Sequence, residues 1–286
     1  MVAVWLVLLL LVSRLARGVI FQVHVLASSS FFLSCSSSVT RFPFLCLQGL
    51  DSECQFNEST FKDIYENKKI WGGPLLQTVQ PSYYYTYGEP ERLSRPSLSG
   101  GGSNIGLATT ASLKFLQEVI VQHNITSVFD IPCGDVNWQF EAWEMDSLPV
   151  YVGADVVPNL IKLNKRRFRH HRNKHFVLWD FSVCNIPNYV TQNEFLAFDL
   201  IHARDVFQHM PLDRLIAAVD NIRASEARYL ICTTWPDSKV NVKIEAGSTF
   251  RNNMEIAPFY LKPLRCVDTH PTIEPDKTCL FELSGP

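Results

Sequence analysis

From about residue 109 onward, apolar residues fall into short runs separated by amphipathic stretches. Val128-Phe129 leads into Asp130, and the runs Tyr151 to Asp155, His175 to Asp180, Phe198 to Asp205 and Arg228 to Trp235 repeat that form. Runs of this length with few polar interruptions are expected of parallel strands covered on both faces. Leu113, Leu116, Val119 and Ile120 make a helical stripe over Thr109 to Gln122, with Thr109 or Thr110 placed to cap it, and Leu212 to Arg223 predicts a second helix. Leu261 to Val267 and Thr278 to Leu283 supply two final strands. Strands alternating with helices build a doubly wound α/β sheet.

The N-terminal third has a different pattern. Met1 to Val12 is an unbroken apolar run followed by Arg14 and Arg17. It is short against the roughly 20 residues that span a bilayer, which fits a signal-peptide core, either cleaved near Ala27 or retained as an anchor. The expected division is a hydrophobic leader over 1–27, a serine-rich linker over 28–59, an extension or lid over 60–106, and the α/β domain over 107–286. Within the extension, Phe61, Ile64 and Tyr65 form one face of a short helix that ends at Gly72-Gly73. Ser99-Gly-Gly-Gly-Ser103 reads equally as a hinge or as a lid whose amides approach a ligand.

Composition narrows the function. The formal charge of −2 over 286 residues gives no reason to expect a nucleic-acid partner. Seven Lys or Arg residues between Lys162 and Lys174 are expected to form the solvated face and exit of a helix. Eight cysteines without a Cys-x-x-Cys pair make a zinc site unexpected, and their scatter suits small buried side chains. Asn57-Glu-Ser59 and Asn124-Ile-Thr126 are N-glycosylation triplets. With the leader, they point to the secretory pathway or a membrane anchor, and a cytoplasmic protein is the alternative.

The densest chemistry lies in Asp130-Ile-Pro-Cys-Gly-Asp-Val-Asn-Trp138, an acid at a strand end followed by a tight turn from which the next helix is expected to start. In open α/β sheets, ligands bind at such strand ends. This segment resembles the first motif of the class I S-adenosylmethionine-dependent methyltransferases, and in its longer form a subgroup that writes the turn as D-x-P-C-G-D-F-N-W. Pro132 and Val136 stand where the usual motif has its first and last glycines. The missing G-x-G-x-x-G disfavours a nicotinamide oxidoreductase. Phe61 to Trp71, Ser99 to Ser103, Arg204-Asp-x-x-x-His209 and the stretch from Asn241 to Phe259 resemble further landmarks of the subgroup.

The resemblance implies a Rossmann-like, seven-stranded sheet and S-adenosylmethionine as cofactor. Gly134 would let backbone approach the methionyl part, beside Cys133, and Asp130 or Asp135 would accept from its ammonium. Asp155 would hold the ribose diol, for which a two-oxygen carboxylate is chemically suited. Asp180 would accept from the adenine amino group, with Phe181 against the ring. Capping a helix is the plainer role for Asp155 and Asp180. His209 or Asp205 could take the acceptor's proton, or merely orient their loop. Arg251 could clamp a substrate, with Trp138 as a second substrate contact, and a salt bridge within the loop is the plainer role for Arg251. Together these imply methyl transfer to an oxygen or nitrogen nucleophile. A cofactor-binding protein without turnover, or another Rossmann-like nucleotide-binding enzyme, is the alternative.

Overall fold

The computed structural model describes residues 46–47, 97–191, 194–269 and 276–283. The leader, the linker apart from Cys46–Leu47, the Phe61–Gly73 segment and the Asn57 triplet lie outside them. Seven strands form the main sheet: β1 (Ser127–Asp130), β2 (Val150–Asp155), β3 (Lys174–Leu178), β4 (Leu200–Ala203), β5 (Tyr229–Thr234), β6 (Pro263–Asp268) and β7 (Lys277–Glu282). Their spatial order is β3-β2-β1-β4-β5-β7-β6. The first five are parallel, and β7 runs antiparallel between β5 and β6. The Rossmann-like, seven-stranded sheet with a hairpin end is therefore present. A small antiparallel sheet joins Cys46–Leu47, Tyr189–Thr191 and Glu194–Leu196.

Neighbouring residues on each central strand point to opposite faces, and each face has its own core. Val128, Tyr151, Leu200 and Ile231 pack with Phe115, Leu116 and Val119 of α1 (Leu107–Gln122). The same cluster takes in Met145 of the one-turn α2 (Trp143–Asp146) and Ile161 of α3 (Pro158–Arg167). Phe129, Val152, Ile201 and Leu230 face the other way, against Leu215, Val219 and Ile222 of α4 (Leu212–Arg223). Two-sided burial is why these strands read as continuous apolar runs.

The chain runs outward from β1 through β2 to β3, then crosses back to β4 on the other side of β1. Strand order therefore reverses between β1 and β4, which opens a crevice at their C-terminal ends.

Several local expectations need correction. No helix starts at the glycine turn. Gly134 and Val136 sit at φ 58° and 49°, left-handed values that break a right-handed helical run, and the chain passes through a 3-10 turn at Gln139–Glu141 before α2. Helix α1 begins ahead of Thr109, at Leu107, and the Thr109 hydroxyl reaches back to accept the Gly106 amide at 3.2 Å. The basic stretch is not uniformly solvated, since Lys174 is buried, paired with Asp146 and set over the Phe140 ring. Nor do the cysteines all serve as small apolar side chains. Cys266 and Cys279 face each other across β6 and β7 as a disulfide, and Cys184 is also disulfide-bonded.

Candidate active site

The candidate residues gather at the C-terminal rim of the parallel strands. Asp130 ends β1, and its carboxylate is fully enclosed. Oδ1 pairs with His202 Nδ1 at 2.7 Å, while Oδ2 accepts from Tyr151 Oη at 2.5 Å and Gln139 Nε2 at 3.2 Å. The backbone fixes these partners, because Asp130 stands in register with His202 of β4 and Gly153 of β2. Burial, followed by the Asp130 charge, raises the Tyr151 phenol well above its ordinary value and keeps it a donor. Four polar side chains are thus satisfied inside an apolar core, as burial requires.

Beyond Asp130 the turn is bonded to both neighbouring strands. The Ile131 amide donates to His202 O at 2.8 Å and the Cys133 amide to Ala154 O at 2.8 Å. The Gly134 amide donates to Asp155 Oδ2 at 3.1 Å, and its carbonyl accepts from Asn164 Nδ2 at 2.7 Å. Arg167 of α3 donates to the Asp135 and Val136 carbonyls at 3.2 and 3.1 Å. The Cys133 thiol is held well above its usual range by burial and by the charges of Asp155 and Asp130, so it stays neutral.

Asp155, at the end of β2, is 3% exposed. Its Oδ1 accepts the Val157 amide at 2.9 Å, so it shapes the entry to α3 as well as holding the Gly134 turn. Burial pushes its pKa up to about 6, against the lowering effect of those amides. Asp180 Oδ1 accepts from the Ser182 amide and hydroxyl at 2.9 and 2.6 Å, with Arg214 at 3.7 Å from Oδ2. Phe181 is buried and stacks on Phe207 at 6.4 Å between centroids.

A strap lies across this turn. Asp135 Oδ1 accepts from the hydroxyls of Ser97 (2.7 Å) and Ser99 (3.3 Å), and its Oδ2 accepts the Leu98 amide at 2.8 Å. Asn137 Nδ2 donates to Ser103 O at 3.1 Å, and Arg204 Nη1 to Gly102 O at 3.1 Å. The glycine-rich segment is bonded to the motif itself, through Ser99 to Asp135 and Ser103 to Asn137.

On the far side of the crevice, Asp205 follows β4 at φ 53°. Its Oδ2 pairs with Arg204 Nη1 at 2.8 Å and its Oδ1 accepts from Thr233 Oγ1 at 3.2 Å. His209 Nδ1 lies 3.1 Å from Ser248 O and 3.2 Å from Thr249 Oγ1. Burial lowers the His209 pKa from 6.5, outweighing the Ser248 carbonyl and the Asp205 charge. Trp138 is 3% exposed, edge-on to His202 and beneath the Arg204 guanidinium at 5.3 Å. Its place is in the core. Arg251 is exposed, and it forms no ion pair among the described residues.

Sequence reasoning missed Ser97, Tyr151, His202 and Asn164. For Tyr151 and His202 the available signal was a polar group inside an otherwise apolar strand, as in Leu200-Ile-His-Ala203.

Residues 129–226, about a third of the chain, match a family described as a methyltransferase domain. Among solved structures, the chain is similar to the N-methyltransferase NodS from Bradyrhizobium japonicum WM9 in complex with S-adenosyl-L-homocysteine. Identity is 13%, coverage is 67% of this chain and 94% of NodS, and the TM-score is 0.48. It is similar also to magnesium protoporphyrin IX methyltransferase (ChlM) from Synechocystis PCC 6803 with bound SAM, at 11% identity, 60% and 76% coverage, and a TM-score of 0.42. An S-adenosylmethionine-dependent methyltransferase from Clostridium acetobutylicum ATCC 824 gives 15%, 60% and 90%, and a TM-score of 0.46. No curated protein matches the sequence.

Proposed function

We propose that this chain is an S-adenosylmethionine-dependent methyltransferase acting on an oxygen or nitrogen nucleophile. The observation that carries the reading is the glycine turn at the β1/β4 reversal, ringed by acids from three successive strands, inside the segment that matches methyltransferase domains. The cofactor carries an ammonium, a sulfonium and a ribose diol, so it calls for carboxylates. Asp155 and Asp180 end or closely follow β2 and β3 and supply them, while Asp130, enclosed by His202, Tyr151 and Gln139, braces the turn from beneath. That chemistry fits. Asp155 would hold the diol, and Asp180 with Phe181 would border the adenine. Ser99 fills the space beside Gly134, so a cofactor resting on this turn meets the Ser97–Ser103 strap as one wall of its site.

The cofactor supplies a methyl group already made electrophilic by its sulfonium. The protein's own work is alignment of the acceptor, which accounts for much of the rate in such reactions. A base is needed only for an acceptor that arrives protonated. His209 suits that task better than Asp205. Its burial-lowered pKa keeps the imidazole neutral at neutral pH, and an Nδ1–H donated to Ser248 O leaves the basic lone pair on Nε2. Asp205 already has Arg204 on one oxygen and Thr233 on the other, which fits a positioning role. Arg251, exposed on the loop after β5, is the candidate clamp for the acceptor.

Calorimetry with S-adenosylhomocysteine and, separately, with NAD tests the reading. Saturable binding of the first alone is expected. Binding of NAD in its place would overturn the assignment, and S-adenosylhomocysteine binding without methyl transfer to any of a broad set of acceptors would favour a binding protein.

A further inference from the structure

We propose that this chain folds in an oxidising secretory compartment and carries an N-linked glycan on Asn124, at the end of the sheet remote from the candidate active site. The inference does not depend on the methyltransferase reading.

The first observation is how the described cysteines divide. Cys266 and Cys279 are bonded across the β6–β7 hairpin, and Cys184, on the loop after β3, is bonded as well. The two that remain thiols, Cys133 and Cys232, are 2% and 0% exposed. Cys133 and Cys232 are thus sealed from any exchanging thiol in the folded chain. A reducing cytosol would hold such disulfides open, whereas a secretory lumen forms and keeps them. For each bond, two thiols give up two electrons and two protons to an oxidised dithiol carrier of that compartment.

The second observation is the setting of Asn124-Ile-Thr126. Asn124 is exposed and sits at φ 50° in the turn between α1 and β1. That turn belongs to the rim where β1, β4 and β5 begin, while Gly134, Asp155 and Asp180 lie where the strands end. A sugar chain there projects into solvent without crossing the crevice. In the fold, the Thr126 hydroxyl donates to Asp199 Oδ2 at 2.7 Å. The triplet is therefore open to a transferase only before β1 docks on β4, as the chain enters the lumen. The Asn124 amide nitrogen would bond to the anomeric carbon of a lipid-pyrophosphate-linked oligosaccharide. The carbon–oxygen bond to pyrophosphate breaks, the lipid pyrophosphate leaves, and the nitrogen loses one proton.

The test uses the full chain, C-terminally tagged, in a eukaryotic secretory host. After N-ethylmaleimide quenching and peptide N-glycosidase treatment in heavy-oxygen water, peptide mass spectrometry should find residue 124 converted to heavy-labelled aspartate. It should also find Cys266 and Cys279 linked, with Cys133 and Cys232 alkylated only after denaturation. On gels, Asn124→Gln should remove one glycosidase-sensitive step in mobility and leave the fold intact by circular dichroism. An unmodified Asn124 overturns the proposal, whether the chain stays in the cytosol or carries sugar only on Asn57. Alkylation of Cys266 and Cys279 in the native protein overturns it equally.

Discussion

Ser99 occupies the space that a β-carbon on Gly134 would need. A Cβ built on Gly134 would stand 2.2 Å from Ser99 Oγ and 2.9 Å from Ser99 Cβ, and the glycine's φ of 58° disfavours any L-residue. Gly134→Ala should therefore lose about 1–2 kcal/mol from the left-handed backbone alone. It should also lift the Ser97–Ser103 strap off Asp135. Chemical denaturation and limited proteolysis around residue 99 would read both effects. The double variant Ser99→Gly, Gly134→Ala should recover the part due to collision. Strictly additive losses would show that the strap does not press on the turn.

Asp155 should make stability and, in its proposed role, cofactor affinity depend on pH in opposite senses. Its folded pKa of about 6 lies above the ordinary 3.8, so the folded state binds more protons between those values. Stability from this group is fully present below the lower value, falls as pH rises, and is constant again above the upper one. From about pH 4 to about pH 7, the stability of Asp155→Asn relative to the native protein should shift by up to about 3 kcal/mol in the variant's favour. Affinity for S-adenosylhomocysteine should instead rise with pH through about 6 in the native protein and stay low and flat in the variant. Parallel urea titrations and calorimetry across this range would check both. A pH-independent stability difference would remove the buried, ionising Asp155 from the argument.

His209 and Asp205 are separable by kinetics. His209→Ala should keep cofactor affinity and lose about 10²–10⁴-fold in methyl-transfer rate for a protonated acceptor. The native rate should fall on the acid side through a pKa below 6.5, and that limb should vanish in the variant. Asp205→Asn should do less, because Arg204 and Thr233 still orient the loop. A larger defect in Asp205→Asn would reverse the assignment, and single-turnover rates unchanged in both would leave alignment as the whole mechanism.

At the opposite rim, Asp199 ties the start of β4 to the start of β1. Its Oδ2 accepts from the Thr126 and Ser127 amides at 2.8 and 3.1 Å, and its Oδ1 pairs with Arg228 at 2.9 Å. Burial would raise its pKa, but bonds from Thr126 and Arg228 outweigh this and lower it. The stabilisation is present above the ordinary aspartate range and is lost as pH falls through the lowered value. Asp199→Ala should cost about 2–3 kcal/mol at neutral pH. The gap should narrow in acid, with S-adenosylhomocysteine affinity unchanged. A constant gap, measured by urea titration at several pH values, would mean that the cost is packing rather than charge.

By itself the sequence determined the layered architecture. Two-sided burial writes β1, β2, β4 and β5 as apolar runs, and the stripe of Leu116, Val119 and Ile120 writes α1, because both patterns follow from local periodicity. It also placed Asp130, Gly134, Asp155 and Asp180, since each directly ends a run or follows it within a turn. Only the tertiary structure decided what those side chains face. Asp130 meets His202 across 72 positions of sequence, and Asp135 meets Ser97 across 38. Cys266 finds Cys279 because β7 turns back beside β6. Such pairings depend on which distant segments become neighbours, a property of the assembled sheet that local periodicity does not encode.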